Sequence, residues 1–165
     1  MKEKWDLYTL DRKKTGIDHT RGEILPRNLY HIVVEVWTVI ENKRILLTQR
    51  HPDKPWGLLW ECTGGSILKN ESSLEGAKRE LSEEIGLVSN ANLIEKIYEY
   101  TSGDSIYDVY ANYQKSEIMN QIKLQATEVV DVKYVSYSEL ENLFLRGEII
   151  PKLSYVKNLI QTENE

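Results

Sequence analysis

Glu80, Glu83 and Glu84 stand at i, i+3 and i+4 in the run RELSEEIGL, residues 79–87. On a helix they crowd onto one face, where each like-charged pair costs roughly 0.2–0.5 kcal/mol. They also fall in the last turns, where the helix dipole already presents partial negative charge. Such a cluster is unfavourable until a cation joins it. Hard divalent ions prefer carboxylate and carbonyl oxygens and complete their shells with water and substrate phosphates. Chelation turns the repulsion into binding. The spacing therefore predicts a metal and, through it, a phosphate-bearing substrate.

The helix that must carry these residues is marked at both ends. Ser72 is a candidate N-cap, and Glu75 three positions on completes a capping box. Gly86 stands where a left-handed C-terminal residue is wanted. Leu74, Ala77, Leu81 and Ile85 share one stripe at helical spacing. At about 100° per residue the glutamates fill the arc adjoining that stripe, at the edge of the core.

Before the helix, YHIVVEVWTVI (30–40) reads as a largely buried strand. ENK turns it into a second strand, RILLTQR (44–50), making a hairpin. HPDKPWGLLW is a loop, since its prolines exclude a central strand. ECTGGSI then leads into the helix. After it, NLIEKIYEY and SIYDVYANYQ are two strands joined at Ser102, Gly103 and Asp104. DVKYVSY (131–137) is another strand, SELENLFLRGE an amphipathic helix starting near Ser138, and PKLSYVKNLIQ a last helix with Pro151 in its first turn. TENE is expected to fray. Near the N-terminus, WDLYTLDRKKTG is expected to form a strand and turn, with Trp5, Leu7 and Tyr8 packed on the main body. The pattern is a mixed sheet with a few helices, an α/β or α+β sandwich.

The 165 residues suit one domain with a real core. A net charge of −5 argues against a nucleic-acid polymer as partner, which needs a basic face. It also means that a polyanionic substrate needs local Arg, Lys or metal. Cys62 is the single cysteine, so no intramolecular disulfide forms and a reducing compartment is expected. MKEKWDLYTLDRKKTG lacks the apolar segment of a secretory signal. No apolar run approaches the ~20 residues that span a bilayer. A cytoplasmic protein without a membrane partner is the expectation.

Gly65, Glu71 and the run Arg79-Glu80-Leu81-Ser82-Glu83-Glu84-Ile85-Gly86-Leu87 together resemble the Nudix box, with every specified position filled at the right spacing. The order of strands and helices over roughly residues 30 to 160 is similar to that family as well. The resemblance implies an α/β/α sandwich with a mixed sheet, residues 30–165, preceded by an extension, 1–29, packed on it. It implies that Glu80, Glu83 and Glu84 hold Mg2+ or Mn2+, joined by the carbonyl of Gly64. Arg79 would orient these carboxylates together with Glu71, beside Gly65. The implied reaction is hydrolysis of a nucleoside diphosphate derivative or related diphosphate, with Glu83, Glu80 and Arg79 in the catalytic machinery. Some members carry a loop glutamate at the offset of Glu128, six residues before Tyr134, as metal ligand or base; Asp108 is a weaker alternative. The resemblance leaves the substrate open among nucleotide sugars, ADP-ribose, oxidised nucleotides and prenyl diphosphates, and it is compatible with a homodimer.

The N-terminal half together with LWECTGGS resembles the subgroup that is similar to isopentenyl-diphosphate isomerase. Those isomerases carry a cysteine directly before the box glycine and a histidine just after it, where this chain has Gly64 and Ser66. Cys62 lies two residues upstream of the isomerase position and reads as a packing residue. Isomerase chemistry would have to reroute it. His31 has lost its metal-binding companion and reads as a hydrogen-bonded, partly buried residue, while His19 and His51 stand in polar segments. A catalytically silent ligand-sensing domain is a third reading, and a lost box carboxylate would point to it; none is lost. Arg50, at a strand end near the box, with Trp37 and Tyr110, is the expected substrate contact. Arg27, Lys54, Tyr30, Trp56, Tyr100 and Tyr107 are further candidates for phosphate or ring contacts.

Overall fold

The computed structural model describes residues 2–41 and 43–160. A hairpin of β1 (Lys4–Tyr8) and β2 (Lys14–Thr20) precedes a seven-stranded sheet. The sheet comprises β3 (His31–Ile40), β4 (Arg44–Arg50), β5 (Trp60–Glu61), β6 (Thr63–Ser66), β7 (Ile94–Ser102), β8 (Ser105–Gln114) and β9 (Val129–Val135). Helices α1 (Ser73–Ile85), α2 (Tyr137–Arg146) and α3 (Val156–Ile160) complete the regular structure.

The central order is β5-β4-β3-β8-β7, with β6 on β3 and β9 on β4. β3 and β8 run parallel over their whole length, from His31 opposite Ser105 to Ile40 opposite Gln114. The other pairings are antiparallel, so the sheet is mixed as expected. β3 feeds two cores because its side chains alternate faces. Ile32, Val34 and Val36 meet Ala77, Leu81 and Ile85 of α1 on one side. Trp37, with Ile45, Leu47 and Val109, meets Leu140 and Leu143 of α2 and Val156 of α3 on the other. This is the α/β/α sandwich. Leu81 is fully buried, which contributes about 1.5–3 kcal/mol to holding α1 on the sheet.

Local signals set the helix ends. Ser72 caps α1, with both halves of the capping box made by Glu75, and Gly86 ends it at φ 69°. α2 starts earlier than expected. Its cap is Ser136, where Glu139 three residues on completes a capping box. The segment expected to be one last helix begins as a 3-10 turn, Pro151–Tyr155, and becomes α-helical only at Val156. Asn42 of the ENK turn and the TENE tail lie outside the described residues.

The N-terminal hairpin is fastened to the sandwich at several points. Tyr8 and Tyr30 exchange backbone hydrogen bonds of 2.8 and 2.9 Å. Trp5 and Leu7 are buried, and the Trp5 ring stacks on His31 at 4.3 Å. No helix among the described residues is long and apolar enough to cross a membrane.

Candidate active site

α1 presents its glutamates to a small cavity floored by β6. Glu80, Glu83 and Glu84 line it together with Gly64, Gly65, Ser66, Lys54 and Glu128, and its volume is about 110 Å³. That is room for an ion and a phosphate group, not for a whole nucleotide. β6 reaches this place because Gly64 and Gly65 pair with Glu35 and Val34 of β3. A Cβ on Gly65 would stand 2.3 Å from Glu80 Oε1, so only glycine lets that carboxylate occupy its position.

Arg79 organises the carboxylates. Its Nε and Nη2 donate to the two oxygens of Glu71 at 2.8 and 3.0 Å, a fork-to-fork pair. Nη1 donates to Glu80 at 2.8 Å and Glu83 at 2.9 Å, and Nη2 also reaches the Ser66 carbonyl at 3.0 Å. Glu71 in turn accepts from the Leu68 backbone N–H at 2.8 Å. Burial works against the Arg79 charge, but Glu71 and Glu80 outweigh it and push its pKa upward.

The carboxylates differ in environment. Glu83 is half exposed. Glu80 is buried, and burial raises its pKa while Arg79 only partly offsets this. Glu84 is buried deeper, and burial followed by repulsion from Glu80 and Glu61 pushes its carboxyl well above the usual range. Among the described residues no three His, Cys, Asp or Glu side chains converge closely enough to hold a metal as they stand. Arg79 draws Glu80 and Glu83, and Lys54 pairs with Glu128. The donor set nonetheless fits a hard divalent cation. Glu84 has no cationic side chain in ion-pair contact among the described residues, and it shares the cavity lining with Gly64 and Gly65.

Several expected contacts lie elsewhere. Trp37 is fully buried on the α2 side, its Nε1–H donating to Tyr155 Oη at 3.0 Å, so it does not face a substrate. Tyr110 is packed in the α1-side core and donates to Ser73 Oγ at 2.8 Å, which removes it from the cavity as well. Both follow from strand alternation, which sends aromatic side chains from interior strands into the two cores. Arg50 is spent inside the protein: it donates to Glu61 at 2.7 Å and to the Pro55 carbonyl at 3.0 Å. Lys54, further along the same loop, reaches the cavity instead. Arg27 lines a separate cavity with Asp104. Of the aromatic candidates, Trp56 is the exposed one.

Cys62 is buried among the residues on the α2 side, and burial pushes its thiol well up, which suits a packing residue. His31 is buried too, with Ser105 Oγ 3.4 Å from its Nε2 and no partner for Nδ1. His19, expected in a polar loop, is instead buried in β2.

Two features had not been anticipated. Glu35 is buried in β3, where it accepts from Tyr155 at 2.6 Å and Tyr100 at 3.0 Å and pairs with Lys152 at 2.9 Å. A carboxylate inside the apolar run VVEVW is the signal that partners must exist. The second is that Glu3 and Arg21, from the N-terminal hairpin, line the carboxylate cavity. No spacing in the sequence pointed there.

An α/β/α sandwich presents a cluster of carboxylates from α1 beside the glycine-bearing strand β6. The family model described as NUDIX domain matches residues 29–154, and the chain belongs to the Nudix family as a Nudix hydrolase. An uncharacterized Nudix hydrolase of Listeria monocytogenes is 34% identical over 151 residues, which cover 90% of this chain and 89% of that protein. The crystal structure of DR0079 from Deinococcus radiodurans superposes with a TM-score of 0.77 at 16% identity, covering 99% of this chain and all of that one. The Nudix domain of Shewanella oneidensis NrtR, solved with ADP ribose, gives a TM-score of 0.56 at 22% identity, covering 68% of this chain and 77% of that one.

Gly65→Ala is expected to separate site from scaffold. The new methyl must push aside the end of the Glu80 side chain, not backbone, so the melting temperature should stay near that of the parent. A displacement of about 1 Å in such a group costs on the order of 100-fold in turnover. Steady-state hydrolysis beside a thermal melt tests this, and a fully active variant would show that the Glu80 position is not critical.

Proposed function

We propose that the protein is a divalent-metal-dependent diphosphate hydrolase acting on a nucleoside diphosphate derivative or related small diphosphate. The observation that carries this reading is the joint lining of one phosphate-sized cavity by Glu80, Glu83, Glu84, Gly64 and Glu128 with Lys54. Mg2+ or Mn2+ would be held by Glu80, Glu83 and Glu84, with the Gly64 carbonyl at the floor. When bound, the ion supplies Lewis acidity toward phosphate oxygens and toward the attacking water.

The chain's own residues account for the rest. Arg79, anchored by Glu71, keeps Glu80 and Glu83 in fixed rotamers and limits the cost of ordering them. Lys54, half-buried at the cavity wall, can exchange Glu128 for a substrate phosphate, which offers it a second anionic partner in the same cavity. That exchange frees Glu128, at the cavity wall, to take a proton from water as general base. The fold shared with a Nudix domain solved with ADP ribose supports a nucleoside-diphosphate compound as the first probe.

The test is a panel of nucleoside diphosphate derivatives, free nucleotides and prenyl diphosphates, assayed with Mg2+, with Mn2+ and with a chelator, reading phosphate and nucleotide products. Metal-dependent turnover of one compound class, lost in chelator, is the expected result. Turnover undiminished by the chelator would remove the metal from the mechanism. Isomerised prenyl diphosphate without phosphate release would replace hydrolysis altogether.

A further inference from the structure

The N-terminal hairpin lies wholly outside residues 29–154, which the family model matches, yet the residues at its open end reach the carboxylate cavity. Its far end brings Glu3 and Arg21 to the wall formed otherwise by Gly64, Gly65, Ser66 and the α1 glutamates. The placement is built, not incidental. The Lys69 N–H donates to the Lys4 carbonyl at 2.8 Å, and the Asn70 N–H to Asp6 at 2.7 Å, so the hairpin is bonded to the segment between β6 and α1. Lys69 also pairs with Asp18 at 2.5 Å. At the other end of the hairpin, Arg12 pairs with the buried Asp108 at 2.7 Å. The Arg21 N–H bonds the Glu3 carbonyl at 3.0 Å, which fixes where its side chain starts.

Arg21 has one ion-pair partner among the described residues, Glu3 at 2.9 Å, and both side chains are substantially exposed. Such a pair contributes little and is readily exchanged. A guanidinium offers a planar fork that matches phosphate oxygens in two-point contact. The cavity wall otherwise carries Lys54 as its cationic side chain against the carboxylates of Glu3, Glu80, Glu83, Glu84 and Glu128. A diphosphate with two charged phosphorus centres needs more than that on the substrate side. Arg79 cannot supply it, since its donors are committed to Glu71, Glu80, Glu83 and Ser66.

We infer that Arg21, delivered by the N-terminal hairpin, is a substrate-binding residue that grips a phosphate of the diphosphate across the cavity from Lys54. The inference rests on the hydrolase reading and adds a residue to it. It makes the extension part of the active site, so that the hairpin selects for substrates carrying a charged phosphate on its side.

The experiment uses the full chain with methylenediphosphonate, a diphosphate mimic that cannot be hydrolysed, titrated calorimetrically in saturating Mg2+. Arg21→Gln is expected to weaken its binding by about tenfold or more, the loss typical of a charge-assisted hydrogen bond. Arg21→Lys should recover part of it, as charge without the fork does. Arg27→Gln removes the same charge from a loop outside the cavity and should bind like the parent. With a hydrolysed substrate, Arg21→Gln should raise KM more than it lowers kcat. Equal binding by Arg21→Gln and parent, or equal weakening by Arg27→Gln, would overturn the assignment, the second by reducing it to net charge. Arg21-dependent diphosphonate binding without turnover of any substrate would sink the hydrolase reading alone. Turnover together with an Arg21→Gln variant that binds normally would sink this inference alone.

Discussion

Glu83→Gln is expected to lower metal-dependent hydrolysis by at least ~100-fold, a loss typical when one group of a metal-centred catalytic constellation is removed, while leaving the fold as stable as before. The two halves of that result have separate causes. Glu83 is half exposed and its visible bond is to Arg79 Nη1, which also serves Glu80. An exposed i,i+4 pair of this kind is worth about 0.3–0.5 kcal/mol. Removing the charge also lifts one of the repulsions acting on the buried Glu80. The scaffold therefore loses almost nothing. The activity loss comes from a neutral amide replacing a carboxylate that the metal requires. Thermal melts with and without Mg2+ provide the check: the parent should gain stability with the ion and the variant little. Full turnover by the variant would remove Glu83 from the metal site.

Asp108→Asn is expected to act the other way, on stability first. Asp108 lies fully buried in β8 and joins three elements. It accepts from Arg12 Nη2 at 2.7 Å, from Lys96 Nζ at 2.7 Å and from Ser73 Oγ at 2.5 Å. Those bonds link the hairpin turn, β7 and the first residue of α1. They also hold Asp108 apart from the residues that line the carboxylate cavity. Breaking a buried ion pair from one side costs about 3–5 kcal/mol, and the asparagine, still an acceptor, should fall near the lower figure. Urea unfolding measures it. Burial alone would raise the Asp108 pKa, but the bonds from Lys96, Ser73 and Arg12 outweigh it and hold the carboxyl below its ordinary range. The folded state thus releases this proton more readily than the unfolded chain. The stabilisation is complete above the unfolded value of about 3.9 and fades as pH falls through the folded one. Parent and variant should converge in stability at strongly acid pH, and a gap independent of pH would argue that packing, not charge, is what Asp108 provides. Because Arg12 anchors the hairpin there, the variant should also weaken whatever Arg21 binds.

What the sequence determined by itself was local. Ser72, Glu75 and Gly86 delimit α1 because caps act within one turn, and the i, i+3, i+4 spacing gathers the glutamates wherever that helix is placed. Arg79 and Glu71 were likewise legible, being eight residues apart, one in the middle of α1 and the other just before it. The β-branched and aromatic run of β3 announced a largely buried strand but not which core each face would enter. Only the sheet register decided that Trp37 and Tyr110 go inside, that Glu35 finds Tyr100, Tyr155 and Lys152, and that Gly65 lies under Glu80. The choice of Lys54 over Arg50 turned on Glu61, eleven residues from Arg50, which captures the arginine in an ion pair. Arg21 is the extreme case. It is about sixty residues from the glutamates it faces, and the hairpin's bonds to residues 69 and 70 bring it there. Such placements are sums of distant contacts, each weak, and no short-range pattern in the chain encodes them.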